Sequence, residues 1–300
     1  KKSKEDRMYT QYSKCELCPR KCGINRNLCT GFCGATATAE VNRIDLHFME
    51  EPIISGKNGS GTVFFTHCTM NCIFCQNAEI SRRSSVGKKF SAEELAKEYI
   101  NLENRGAHNI NLVSPTHYMP TIVESIEISR DMGLKIPFVY NTSGFENPEI
   151  IKKLRGYIDI FLTDYKYSSP YLAKIYSNCE DYPDCIISAI SNMTEITGEP
   201  TFSGDGMLLK GTVIRHLMLP NQLSDTLQIM GNVQKNFSHN ALFSLMRQYT
   251  PMGSSLPDEI NRTINDYEYS LAREEFERLE FDGFIQSDQA VGTDKIPKFN

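Results

Sequence analysis

The chain has 300 residues, 40% of them apolar, a net charge of -5 and an isoelectric point near 5.8. That is enough apolar material for one α/β barrel-type domain with a small appendage. It lacks the basic face that nucleic acid or an anionic membrane would require.

The start, Lys1-Lys2-Ser3-Lys4-Glu5-Asp6-Arg7, is charged and leads into no signal-like apolar core, and no run of about 18 apolar residues follows anywhere, so a cytoplasmic protein is expected. There are ten cysteines, eight of them between Cys15 and Cys75. Disulfide frameworks belong to short secreted chains; this clustering in a longer chain favours metal ligation at two sites.

Residues 1–60 read as a Cys-rich, turn-rich module with one apolar stretch at 41–48, tied down by metal more than by a core. Residues 61–300 read as a second domain. Within it Thr62-Val63-Phe64-Phe65-Thr66 is a strand candidate, continuous in the way a strand buried on both faces should be. Ser91 and Glu94 form a capping box for a helix that carries Leu95, Tyr99 and Leu102 on one face and ends at Gly106.

Strand 109–114, helix 120–133, strand 136–141 and a helix capped at Asn147-Pro148 follow. Strand 157–164, a broken helix over 170–196, strand 211–217, helix 224–234, strand 241–247 and helix 266–280 complete the series. Six strand-helix units predict a parallel sheet with helices outside, either open or an incomplete barrel, with ligands at the C-terminal strand ends.

Directly after the first of these strands comes His67-Cys68-Thr69-Met70-Asn71-Cys72-Ile73-Phe74-Cys75. Three cysteines on one loop at the functional end of a strand can converge on one metal centre. A structural zinc or an electron-transfer cluster takes four protein ligands, and no fourth cysteine is near, so one iron of a 4Fe-4S cluster would stay open. Phe74, next to the last cysteine, is placed to pack on the cluster, or simply in the core.

This loop resembles that of the radical S-adenosylmethionine (SAM) superfamily, and the chain as a whole is similar to its pyruvate formate-lyase activating enzyme-like branch. The resemblance runs from about Cys15 to Gln286. It rests on Cys15-Glu16-Leu17-Cys18-Pro19-Arg20-Lys21-Cys22-Gly23, Glu50-Glu51-Pro52-Ile53-Ile54-Ser55-Gly56, the cysteine loop, Ser114-Pro115-Thr116-His117, Asn141-Thr142-Ser143-Gly144, Asp164-Tyr165-Lys166, Arg215-His216 and Gln248-Tyr249-Thr250-Pro251.

The resemblance implies a partial (β/α)6 barrel and an oxidoreductase that reductively cleaves S-adenosylmethionine to a 5'-deoxyadenosyl radical for hydrogen abstraction. The target would be a glycyl radical enzyme, a protein partner, or alternatively a small metabolite or peptide. Cys68, Cys72 and Cys75 would hold the 4Fe-4S cluster. Cofactor contacts would come from Ser114, Thr116, His117, Asn141, Thr142, Ser143, Asp164, Lys166, Arg215 and His216, beside Phe74. A low-potential flavodoxin or ferredoxin would be the reductant, with Arg82, Arg83, Lys88 and Lys89 as a docking area or a solvated loop.

The bland alternatives are a structural ion pair for Asp164, Lys166 and Arg215, and a turn role for His117. A non-catalytic metal- or RNA-binding protein is disfavoured by the acidic balance and the lack of a basic, aromatic stripe. Two positions depart from the family pattern: His67 and Asn221 stand where glycine is common.

Cys15, Cys18, Cys22 and Cys33, with Cys29 as an extra candidate, form a second thiolate set fit for zinc or a second 4Fe-4S cluster. Cys179 and Cys185 read as free thiols.

Overall fold

In the computed structural model, residues 11–252, 255–286 and 299 are described. The charged start at 1–7 lies outside them. In chain order come β1 (Ala39–His47), α1 (Pro52–Ser55), β2 (Ser60–Phe65), α2 (Ala78–Ser81), β3 (Lys88–Phe90), α3 (Ala92–Asn104), β4 (Ile110–Val113) and α4 (Met119–Asp131). Then follow β5 (Phe138–Thr142), α5 (Pro148–Lys152), β6 (Ile160–Asp164), α6 (Pro170–Ser177), α7 (Tyr182–Thr197), β7 (Thr201–Phe202) and β8 (Leu208–Leu217). The series ends with α8 (Leu223–Phe237), β9 (Ala241–Met246), α9 (Asp266–Arg278) and β10 (Gly283–Ile285).

Nine strands form one sheet in the order β10-β9-β8-β6-β5-β4-β2-β1-β3, and β7 pairs with β8. The run from β2 to β10 is parallel throughout, while β1 and β3 add antiparallel strands at one edge. This is the partial α/β barrel, with β2, β4, β5, β6, β8 and β9 where the hydrophobic runs put them. Short β3, β7 and β10 carry no pattern long enough to read. Exposed Lys88 and Lys89 sit on edge strand β3, where charge blocks further pairing. The division expected at residue 60 runs through paired backbone, because β1 lies alongside β2 from Val41 to His47.

Alternation on the strands separates two cores. Val139, Ile160, Leu162 and Val213 point inward and pack with Leu208 and with Ile54 of α1, which plugs the N-terminal end of the barrel. Asn109 holds that plug by donating from Nδ2 to Ile54 O, 2.7 Å away. The opposite strand faces pack under the helices. α3 buries Leu95, Tyr99 and Leu102 against this layer, and its Ser91–Glu94 capping box is formed. The broken helix divides at Asn178, in left-handed conformation between α6 and α7.

Candidate active site

At the C-terminal strand ends lies a cavity of about 220 Å³, lined among others by Glu50, Cys72, Phe74, Cys75, Asn141, Asp164, Lys166, Arg215 and Gln248. The inward parity that gives the barrel Val139, Leu162 and Val213 aims Asn141, Asp164 and Arg215 into it.

Arg215 ties the floor together. Nε donates to Asp164 Oδ1 (3.0 Å), Nη1 to Glu50 Oε2 (3.0 Å) and Nη2 to Asn141 Oδ1 (2.7 Å). Lys166 Nζ donates to Asp164 Oδ2 at 2.6 Å. Glu50 Oε1 accepts from Asn111 and Asn141. Burial opposes the charge on Asp164, but the Lys166 ammonium and Arg215 guanidinium outweigh it and hold its carboxyl below the usual range. Burial likewise opposes the charge on Lys166, yet Asp164 and Cys72 push it up to about 12. Asp164, Lys166 and Arg215 are therefore ionised at neutral pH.

The cysteine loop leaves β2 through His67 and crosses to Cys72 through Asn71, both with positive φ, 74° and 79°. Its sulfurs each meet a donor: the Met70 N–H at Cys68 (3.5 Å), Ser177 Oγ at Cys72 (2.9 Å) and Ser81 Oγ at Cys75 (3.3 Å). Arg20 of the N-terminal module clamps the loop from outside, donating to Thr69 O (2.6 Å), Met70 O (3.3 Å) and Asn178 O (2.8 Å). Phe74 lies edge-on to Tyr249 and Tyr176.

Among the described residues no three His, Cys, Asp or Glu side chains are drawn around one point closely enough for a single ion. A cluster asks for something else, soft thiolates on separate irons, each stabilised by hydrogen bonds. Cys68, Cys72 and Cys75 fit that requirement.

Other expected site residues sit elsewhere. His216, next to Arg215 on β8, necessarily faces the helices; its ring nitrogens engage Tyr165 O and Thr226 Oγ1, and burial lowers its pKa. Thr116 and Thr142 both donate to buried Glu146 Oε1, outside the cavity. His117 bonds Thr66 O and is held neutral by burial, its pKa down at about 3. Ser143 offers its carbonyl to Tyr182. Ser114 is absent from the lining and follows β4 with φ 57°.

Gln76 was not singled out from sequence; Glu50, Asn111 and Gln248 stood in family-like motifs whose roles only the fold exposes.

Residues 62–219 match the family model for the radical SAM superfamily. An uncharacterized protein of Methanocaldococcus jannaschii is 28% identical over 284 residues, covering 90% of this chain and 76% of that protein. Among solved structures, Streptococcus suis SuiB bound to its precursor peptide SuiA aligns with TM-score 0.50 and 12% identity, covering 73% of this chain. The chain spans 46% of SuiB's length. A radical SAM methyltransferase from Sphaerobacter thermophilus aligns with TM-score 0.51 and 10% identity, covering 77% of this chain and 67% of that one. At these identities the structural likeness speaks for the fold alone.

Proposed function

The chain belongs to the radical SAM superfamily, and from that premise we propose that it is an iron-sulfur oxidoreductase acting on a small polar molecule. Cys68, Cys72 and Cys75 hold the 4Fe-4S cluster in this reading. With S-adenosylmethionine and one electron from a flavodoxin or ferredoxin, that cluster supplies a 5'-deoxyadenosyl radical for hydrogen abstraction.

The observation that carries the reading is the position of Cys72 and Cys75 on the wall of a cavity whose floor holds four paired charges. Lys166 and Arg215 can receive a carboxylate, and Asp164 and Glu50 an ammonium, so a zwitterionic methionine end finds both signs. Asn141, Gln76 and Gln248 add neutral donors and acceptors. Phe74, Phe64 and Leu217 contribute apolar walls that exclude water around the reacting atoms.

A second cavity of about 440 Å³ shares Met49, Glu50, Arg215, Met246 and Gln248 with the first and continues it toward β10. Such a volume suits a metabolite-sized substrate. A glycyl radical enzyme would have to offer a protein loop to the same opening.

The test is anaerobic reconstitution with iron and sulfide, then dithionite and S-adenosylmethionine, with 5'-deoxyadenosine as readout. Cleavage is expected in the natural chain and not when Cys68, Cys72 and Cys75 are all replaced by Ala. Equal product from both would refute the assignment. Deuterium incorporation into 5'-deoxyadenosine from labelled metabolite pools, rather than from a labelled glycyl radical enzyme, would favour the small substrate.

A further inference from the structure

The N-terminal module holds features that the barrel chemistry does not use. Cys15, Cys18, Cys22 and Cys33 are all free thiols. Burial pushes the Cys15 and Cys18 thiols up, and the backbone N–H groups of Leu17 and Arg20, two residues on, oppose it. Cys68 in the cluster loop receives the Met70 N–H by the same spacing. This arrangement presents a sulfur to a metal while backbone donors stabilise its thiolate form.

The turns are closed by backbone bonds from Cys15 N to Ile24 O, Gly23 N to Cys15 O and Lys21 N to Cys18 O. They return Cys22 to Cys15, so that its Sγ lies 3.9 Å from Cys15 O. An ideal Cβ on Gly31 would lie 3.1 Å from Cys22 Sγ, which places the segment leading to Cys33 against the same knuckle.

Arg26 provides an independent observation. It is 1% exposed, donates to Ala35 O, His117 O and Thr36 O, and lies over the rings of Tyr12 and Tyr118. Among the described residues no carboxylate pairs with it. A buried guanidinium served by carbonyls alone is costly, and an anion beside it would relieve that cost. The Cys15 side chain lies close enough to feel the Arg26 charge. A four-thiolate metal centre carries net negative charge and supplies that anion permanently.

We propose that Cys15, Cys18, Cys22 and Cys33 form a second metal site, a four-thiolate centre for zinc or iron that neutralises Arg26. The four sulfurs do not surround one point; Cys22 is exposed and Cys18 and Cys33 are partly buried, so closing the set requires side-chain rotation. Cys29 is outside the set: its Sγ turns to its own turn, 3.4 Å from Asn25 O.

The test uses the full chain with Cys68, Cys72 and Cys75 replaced by Ala, so it does not depend on the barrel cluster. Metal is counted after purification, and the metal-free protein is titrated anaerobically with cobalt(II), whose thiolate charge-transfer band reports sulfur ligation. One zinc, or about four irons, per chain and a stoichiometric cobalt band support the site, the count distinguishing the two metals. Added singly, Cys15→Ser, Cys18→Ser, Cys22→Ser and Cys33→Ser should each weaken cobalt binding at least tenfold, whereas Cys29→Ser should leave it within twofold. No bound metal together with no cobalt band overturns the proposal. So does a dependence on Cys29 in place of Cys22, which needs only folded, soluble variants to detect.

Discussion

Ser177 Oγ stands 2.9 Å from Cys72 Sγ and donates to it, while the Tyr167 hydroxyl, 2.7 Å away, shares the other side of the same oxygen. With the Ser177 proton committed to sulfur, Tyr167 must donate to Ser177. All of this is buried: Ser177 and Tyr167 are fully shielded from solvent. Hydrogen bonds to a cluster's sulfurs favour its more negative, reduced state and raise its potential, and a chain of donors strengthens the last one.

Ser177→Ala should therefore lower the cluster midpoint potential by tens of millivolts, where about 59 mV is a factor of ten in a one-electron equilibrium. Tyr167→Phe should give a smaller shift of the same sign. An electron paramagnetic resonance titration of the reconstituted protein reads both. Unchanged potentials in both variants would refute the relay, and Ser177→Thr, which restores the hydroxyl, should recover most of the shift.

Glu146 is a buried acid with a pH signature. Burial raises its pKa to about 7, against the Thr116 and Thr142 hydroxyls that favour its charged form. The folded chain thus binds a proton that the unfolded chain, with its carboxyl near 4.5, releases first. Its contribution is full below about pH 4.5 and is lost as pH rises through about 7, by about 3 kcal/mol in all. Glu146→Gln should remove this slope. Urea unfolding at pH 5 and pH 7.5 gives the double difference, and equal pH dependence in both proteins would exclude the effect.

The cysteine loop and the six strand-helix units were legible because their signals are local: ligand spacing, hydrophobic runs and caps such as Ser91–Glu94. Glu50 was not, because its partner Arg215 lies 165 residues away. His216, Thr116 and Thr142 were placed at the cofactor by the resemblance and by nearness to a strand end. Strict alternation on β8 would have sent His216 opposite to Arg215 from the start. The two departures from the family pattern find a common reason, since His67 and Asn221 have φ 74° and 62°. Glycine adopts that region freely. Asn tolerates it, and His67 is held there by Thr66 and Tyr118.

Gly144 separates backbone requirement from mere presence. Its φ is 80°, and an added Cβ would lie 2.3 Å from Asp164 O and 2.4 Å from Ile186 Cδ1. Gly144→Ala should destabilise the chain by more than about 2 kcal/mol, displacing the strand end that carries Asp164. Gly231, inside α8, meets nothing within 4 Å. Gly231→Ala should stabilise by up to about 1 kcal/mol. Chemical denaturation of the pair measures both signs, and similar effects at the two sites would contradict the packing described.

Glu50 and Arg215 should be energetically coupled although distant in sequence. Arg215 is 13% and Glu50 10% exposed at the side chain, so removing one partner strands a charge in low dielectric. Arg215→Met leaves Glu50 and Asp164 with only Lys166 between them, at a cost of about 3–5 kcal/mol. Glu50→Gln removes one of those carboxylates and should recover part of the loss. The double variant is therefore expected to be more stable than the sum of the single effects by at least about 1 kcal/mol. Arg215→Lys, which keeps the charge but lacks the planar fork, should hold the fold better than Met and still fail to position Asp164 and Asn141 together. Its signature is retained stability with reduced 5'-deoxyadenosine formation. Strict additivity in the cycle would mean that Glu50 and Arg215 act independently and that the cavity floor is not one ionic unit.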